Sequence, residues 1–135
     1  MGPRIVVGVS ATTNAEVLEW AIDETIQCDG RLLIVHSFED AIEIELPHPI
    51  FHSVEMEQAI LDEASKVAHI RRVPTDVKLS DGPPGKALVG YSKGARLLVL
   101  GPSRRGRASQ ALRTSVAQYC LQHSHCPVAI VRAHP

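Results

Sequence analysis

Arg96-Leu97-Leu98-Val99-Leu100-Gly101-Pro102-Ser103-Arg104-Arg105-Gly106-Arg107 is the stretch on which the fold turns. Leu97 to Leu100 is a continuous apolar run, the signature of a strand buried on both faces. A glycine- and arginine-rich turn follows at once, and a helical pattern runs on through Val116. Strand, turn, helix is the order in which open α/β sheets build anion sites. The helix start offers unpaired backbone N–H groups and the positive end of its dipole. Gly101 suits a point where backbone must approach a ligand closely or take a positive φ. Arg104, Arg105 and Arg107 add positive charge there, or else form a plain solvated turn.

Outward from this stretch, the same alternation repeats. Ile5-Val6-Val7-Gly8-Val9 is a second continuous run, ending near Ser10. Thr13-Asn14-Ala15-Glu16 fits a capping box at a helix start. Val17, Leu18, Ala21, Ile22 and Ile26 then give an apolar helical face, with Gly30 as the expected stop. Leu32-Leu33-Ile34-Val35 is the next buried strand, reached by a right-handed crossover, with His36 and Ser37 at its carboxyl end. Ligands of open parallel sheets bind beyond the carboxyl ends of strands, where the strand order reverses, so Ser10 and Ser37 are contact positions.

Residues 39–52 are acidic, then broken by Pro47 and Pro49, and are expected to form a loop long enough for a flap or partner surface. Val54, Ile60, Leu61, Ala64, Val67 and Ala68 predict a second helix ending near His69. Val73, Thr75, Val77 and Leu79 alternate with Pro74, Asp76, Lys78 and Ser80, a half-exposed edge strand. Asp81-Gly82-Pro83-Pro84 turns the chain into a short helix carrying Ala87, Leu88 and Tyr91, stopped by Gly94. Leu112, Val116, Tyr119 and Cys120 form the expected stripe of the last helix, and Val128-Ala129-Ile130-Val131 the last strand. The fold expected is α/β: a Rossmann-like, doubly wound, five-stranded parallel sheet of strand order 3-2-1-4-5.

A chain of 135 residues, 44% hydrophobic and 21% charged, suits one domain spanning residues 1–135. Residues 1–65 carry 2 Lys/Arg and 13 Asp/Glu (2 − 13 = −11), and residues 66–135 carry 12 and 2 (12 − 2 = +10), giving the net −1. That balance argues against a general nucleic-acid coat or a polybasic membrane anchor. The opposed halves attract each other or steer an anion. Cys28, Cys120 and Cys126 are an odd number with no signal peptide ahead of them, so reduced thiols and a cytoplasmic setting are expected. No stretch has the length of a membrane span.

Over nearly the whole chain these elements resemble the universal stress protein family. The resemblance rests on Ile5-Val6-Val7-Gly8-Val9-Ser10, Leu33-Ile34-Val35-His36, Gly82-Pro83-Pro84-Gly85-Lys86-Ala87-Leu88, Leu98-Val99-Leu100-Gly101, Thr114-Ser115-Val116 and His125-Cys126-Pro127-Val128-Ala129-Ile130-Val131. The family's ATP-binding members carry a Gly-x-x-Gly-x9-Gly-Ser/Thr loop after the fourth strand. Aligned on Gly101, this chain has Arg104 and Thr114 where the other two glycines stand, and Ser115 at the hydroxyl. The family's usual aspartate after the first strand is replaced by Ser10, and its small apolar adenine contact by Ser37. Arg104 and Thr114 restore a Cβ where glycine lets a phosphate approach the backbone, while Arg104 and Arg105 offer guanidinium forks instead. The candidate cofactor-binding set is Val9, Ser10, Ser37, Leu100, Gly101, Arg104, Arg105, Thr114, Ser115 and Val116.

The resemblance implies a stress-response binding and regulatory protein with a degenerate nucleotide (ATP) site. The alternative is a genuine ATP or other adenine-nucleotide binder using Gly101, Ser115 and the loop arginines. It also implies a homodimer through the last strand, Val128 to Val131, whose apolar edge is otherwise covered by the tail Arg132 to Pro135. An enzyme is not expected. His36 and Ser10 both sit at strand ends, but no nucleophile elbow, Walker lysine or paired carboxylate surrounds them. Cys120, His123, His125 and Cys126 crowd seven residues without matching common zinc spacings, so packing rather than a metal is expected.

Overall fold

The computed structural model describes residues 2–13, 15–38, 54–102 and 115–132. Strand β1 (Arg4–Gly8) leads into helix α1 (Ala15–Gln27), and β2 (Arg31–Phe38) precedes α2 (Val54–Ile70). Then follow β3 (Thr75–Asp81), α3 (Pro84–Ser92), β4 (Leu97–Leu100), α4 (Val116–His123) and β5 (Val128–Ile130). All five described strands are parallel in one sheet of order β3-β2-β1-β4-β5, the order expected.

Alternation along each strand feeds two cores. Ile5, Val7, Leu32 and Ile34 face a layer made by α1 and α2, where Val17, Ile22, Leu61 and Ala68 are buried. Val6, Leu33, Val35, Leu98 and Leu100 face the other way, against Leu88 of α3 and Cys120 of α4. Side chains so enclosed each contribute roughly 1.5–3 kcal/mol. Both faces of the central strands are therefore dry, which is why their sequences are unbroken apolar runs. β3 alternates between half-buried and exposed residues over Thr75–Leu79, as an edge strand should.

Several expectations need correction. The buried face of α1 ends in Thr25, not Ile26; Ile26 is 48% exposed, and Thr25 Oγ1 donates to Ala21 O at 2.7 Å, which makes a hydroxyl acceptable inside. Gly30 is not the left-handed residue after α1. Asp29 takes that conformation at φ 51, whereas a Cβ on Gly30 would lie 2.4 Å from Pro3 O. Gly30 thus serves close packing of two backbones rather than a turn. In α2 the buried residues are Glu57, Leu61, Ala64 and Ala68, while Val54 is exposed. In α4 the buried pair is Ala117 and Cys120, and Val116 is 36% exposed. The 39–52 loop, the arginines of the 103–107 turn and Leu112 lie outside the described residues.

Among the described residues the opposed charges of the two halves meet in the exposed Lys66–Glu63 pair and at Arg71. Arg71, just after α2, donates to Glu19 at 2.9 Å and Asp23 at 2.7 Å on α1, tying the two helices of one layer together.

Candidate functional site

β1 is flanked by β2 and β4, with Val7 level with Ile34 on one side and Val99 on the other. The crossover from β1 leads to β2 on one side, whereas the crossover from β3 returns to β4 on the other, so the strand order reverses between β1 and β4. Ser10 lies three residues beyond Val7 and Pro102 three beyond Val99, so the two segments emerge at the same edge of the sheet. Val9, Ser10, Ser37, Leu100 and Gly101 all belong to this carboxyl edge. Ser115 stands at the start of α4, with Val116 as the first helical residue. Arg104, Arg105 and Thr114 lie outside the described residues.

The turn after β1 is a knot of hydroxyls. Ser10 N–H donates to Thr13 Oγ1 at 2.8 Å, and Thr13 N–H returns to Ser10 O at 3.2 Å. Ser10 Oγ lies 3.2 Å from Thr12 Oγ1 and 3.0 Å from Thr13 Oγ1. The Thr13 hydroxyl thus closes the turn upon Ser10. Ser37 points to the opposite layer and donates to Gly82 O at 2.8 Å, while Gly82 N–H donates to Phe38 O at 2.8 Å, pinning β2 to the turn after β3. Ser115 accepts from Gln118 N–H at 3.0 Å, so its hydroxyl caps α4.

Gly101 does not take a positive φ, which among the described glycines is found at Gly82 and Gly94. A Cβ on Gly101 would come within 3.3 Å of Val17 Cγ2. Glycine here lets the chain leaving β4 lie close against α1, a contact within the protein that the sequence reading did not expect.

His36 is 5% exposed and uses both ring nitrogens. Nδ1 meets Val9 O at 2.9 Å and Nε2 meets Glu57 Oε2. A carbonyl only accepts, so Nδ1 carries a proton. With both nitrogens engaged, the imidazole does not serve Ser10. Glu57 was missed by sequence reasoning, though a signal was present. Glu57, Leu61, Ala64 and Ala68 follow helical spacing, and a glutamate in a buried stripe calls for a partner.

Of the crowded Cys and His residues near the end of α4, Cys120 is packed inside and Cys126 half-buried, while His123 and His125 are exposed. His123 stacks on Tyr119 with ring centroids 4.5 Å apart, Cys126 Sγ donates to Pro127 O at 3.4 Å, and Cys120 is fully buried. Burial pushes the Cys120 thiol up to about 11. Among the described residues no group of three or more His, Cys, Asp or Glu is placed to hold a metal ion.

An open parallel sheet whose strand order reverses between β1 and β4, with hydroxyl residues beyond the carboxyl end of β1, defines a doubly wound α/β domain. The chain belongs to the universal stress protein family, whose model matches residues 1–132. One universal stress protein of Mycobacterium tuberculosis is 28% identical over 136 residues, covering 96% of this chain and 48% of the relative. A second from the same organism is 30% identical over 133 residues, covering 95% and 45%. The chain therefore spans about half the length of these curated relatives.

Solved structures share the fold. A universal stress protein in complex with cAMP superposes with a TM-score of 0.74 at 22% identity, covering 98% of each chain. A universal stress protein of Archaeoglobus fulgidus in complex with dAMP gives 0.69 at 21% identity, covering 95% of this chain and 96% of that one. An Arabidopsis thaliana member with AMP bound gives 0.67 at 18% identity, covering 98% and 92%. No helix among the described residues is long and apolar enough to cross a membrane.

Proposed function

We propose that this chain is a stress-response regulator that acts by binding an adenine nucleotide, without turnover, in a crevice that departs from the family's ATP loop. The observation that carries this reading is the switch point itself, with Ser10 and Gly101 emerging side by side beyond adjacent parallel strands. Relatives of the same fold hold cAMP, dAMP and AMP, which supports an adenine ligand with a short phosphate. Ser10 in place of a carboxylate weakens the case for a metal-bound triphosphate, because hydroxyls are poor ligands for a hard cation by themselves. In this reading Val9, Ser10 and Ser37 border the base and ribose. Leu100, Gly101, Ser115 and Val116, with Arg104, Arg105 and Thr114 of the intervening loop, border the phosphate. The sealed imidazole of His36 supports binding over catalysis.

The test is direct. Protein purified without added nucleotide is denatured and the supernatant assayed for adenine compounds; AMP, cAMP and ATP with and without Mg²⁺ are then ranked by thermal shift. A preference for AMP or cAMP is expected. A larger shift with Mg-ATP would favour the alternative, a full ATP binder. No shift with any of them would remove the nucleotide reading.

The same proposal includes a homodimer through the last strand. β5 is an edge strand in the described sheet, and its ladder with β4 is continued at either end by bonds to Pro127 O and from Val131 N–H. Alternate residues of a strand bond to opposite sides, so Val128 and Ile130 direct their backbone groups outward, as a two-fold strand pairing requires. A groove of about 390 Å³ beside them, lined by Glu16, Trp20 and Ala129 to Arg132, offers further surface for a second copy. A dimeric mass at micromolar concentration, lost in Ile130→Pro, is the expected result. Nucleic acid and membrane are not among its partners in this reading, and the cytoplasm is its setting.

A further inference from the structure

We infer that His36 is a positioning residue for the crevice, aiming the peptide that opens the Ser10–Thr13 turn; the consequence for affinity rests on the nucleotide reading above. Val9 is clamped to β2 at both of its backbone groups. Its N–H donates to Val35 O at 2.9 Å, and its carbonyl accepts from His36 Nδ1 at 2.9 Å. The Val9 carbonyl and the Ser10 N–H belong to one planar peptide unit and point in opposite directions. Holding the carbonyl therefore sets the direction of Ser10 N–H, which donates to Thr13 Oγ1 and closes the turn. Glu57, 7% exposed on α2, holds the far side of the ring through Nε2, so the imidazole cannot rotate away from Val9. A chain of contacts thus runs from α2 through Glu57 and His36 to the lip of β1.

Neither neighbour does this by backbone alone. β1 ends at Gly8, so beyond it the described backbone bond from Val9 to β2 is the Val35 contact, and the imidazole supplies the next one.

Two substitutions separate the two halves of the ring. Asn places an amide N–H near the position of Nδ1 and gives up the Glu57 contact, whereas Gln reaches toward Glu57 and gives up Val9. His36→Asn and His36→Gln should therefore lower Tm by similar amounts but differ at the turn. In His36→Gln, amide exchange at Ser10 and Thr13 should accelerate about tenfold, and the AMP dissociation constant should rise about fivefold, the worth of one lost hydrogen bond. In His36→Asn both should stay within about twofold of the unsubstituted protein. Equal exchange at Ser10 and Thr13 in the two variants overturns the proposal, whatever happens to AMP. If the unsubstituted protein binds no AMP, the nucleotide reading fails by itself and the exchange rates alone decide the role of His36.

Discussion

At the amino ends of the strands, backbone meets backbone: Arg31 N–H donates to Pro3 O, Arg96 N–H to Arg4 O and Leu32 N–H to Pro74 O, each at 2.8–2.9 Å. Arg4 finishes that end by donating through Nη2 to Tyr91 O and Lys93 O. At the carboxyl ends, the described contacts beyond the ladder are made largely by side chains, those of His36, Glu57, Ser37, Ser10 and Thr13. Main-chain contacts are indifferent to most substitutions and fix the fold. Side-chain contacts change with every residue, so the carboxyl end is where one member of the family can diverge from another while the sheet stays intact.

The sharpest way to break this contrast is Gly30→Ala. Its Cβ would fall 2.4 Å from Pro3 O, so two backbones must part, at a cost of about 3 kcal/mol by denaturant unfolding. AMP affinity of the folded fraction should not change. A loss under about 1 kcal/mol would show that the amino end yields more easily than described. At the carboxyl end, Glu57→Leu leaves His36 Nε2 without the Glu57 acceptor and should cost roughly 2–3 kcal/mol, now with weaker AMP binding as well.

Alkaline pH probes the interior between the two ends. Cys120 titrates near 9.0 when unfolded and about 11 when folded, so its burial stabilises the fold fully below pH 9. That contribution, about 2 kcal/mol, is lost as pH rises from 9 to 11, because the unfolded chain gives up the proton first. Stability curves of the Cys120→Ala variant should be flatter across that window, and the half-buried Cys28 and Cys126 should react with thiol reagents well before Cys120. Ser37→Ala, which removes the bond to Gly82 O, should have the smallest effect, about 1 kcal/mol, with no change in β3 pairing.

The sheet was legible because double-sided burial writes itself as unbroken apolar runs, and Leu97 to Leu100 and Leu32 to Val35 are strands in the structure. The edge strand declared itself through the alternation from Thr75 to Leu79. The site was harder to read. A serine in the sequence does not announce the partner of its hydroxyl, and that of Ser37 donates to Gly82 O in the turn after β3. His36 and Glu57 lie 21 residues apart, and local periodicity carries no information on such a pair. Gly30 shows the converse, a residue placed correctly at a helix end and for the wrong reason, since Asp29 tolerates the left-handed turn.

The central place of β1 has a consequence for how the molecule is made. Of the strands of this sheet β1 is made before the others and gains its β2 neighbour at Arg31–Val35, but its other flank waits for Leu97–Val99. On a ribosome, the nascent chain holds Ile5 to Val7 with one naked flank for some sixty residues of elongation after Val35. A chaperone binding that flank would act early, and a truncation ahead of β4 would yield a sticky fragment rather than a smaller version of the domain.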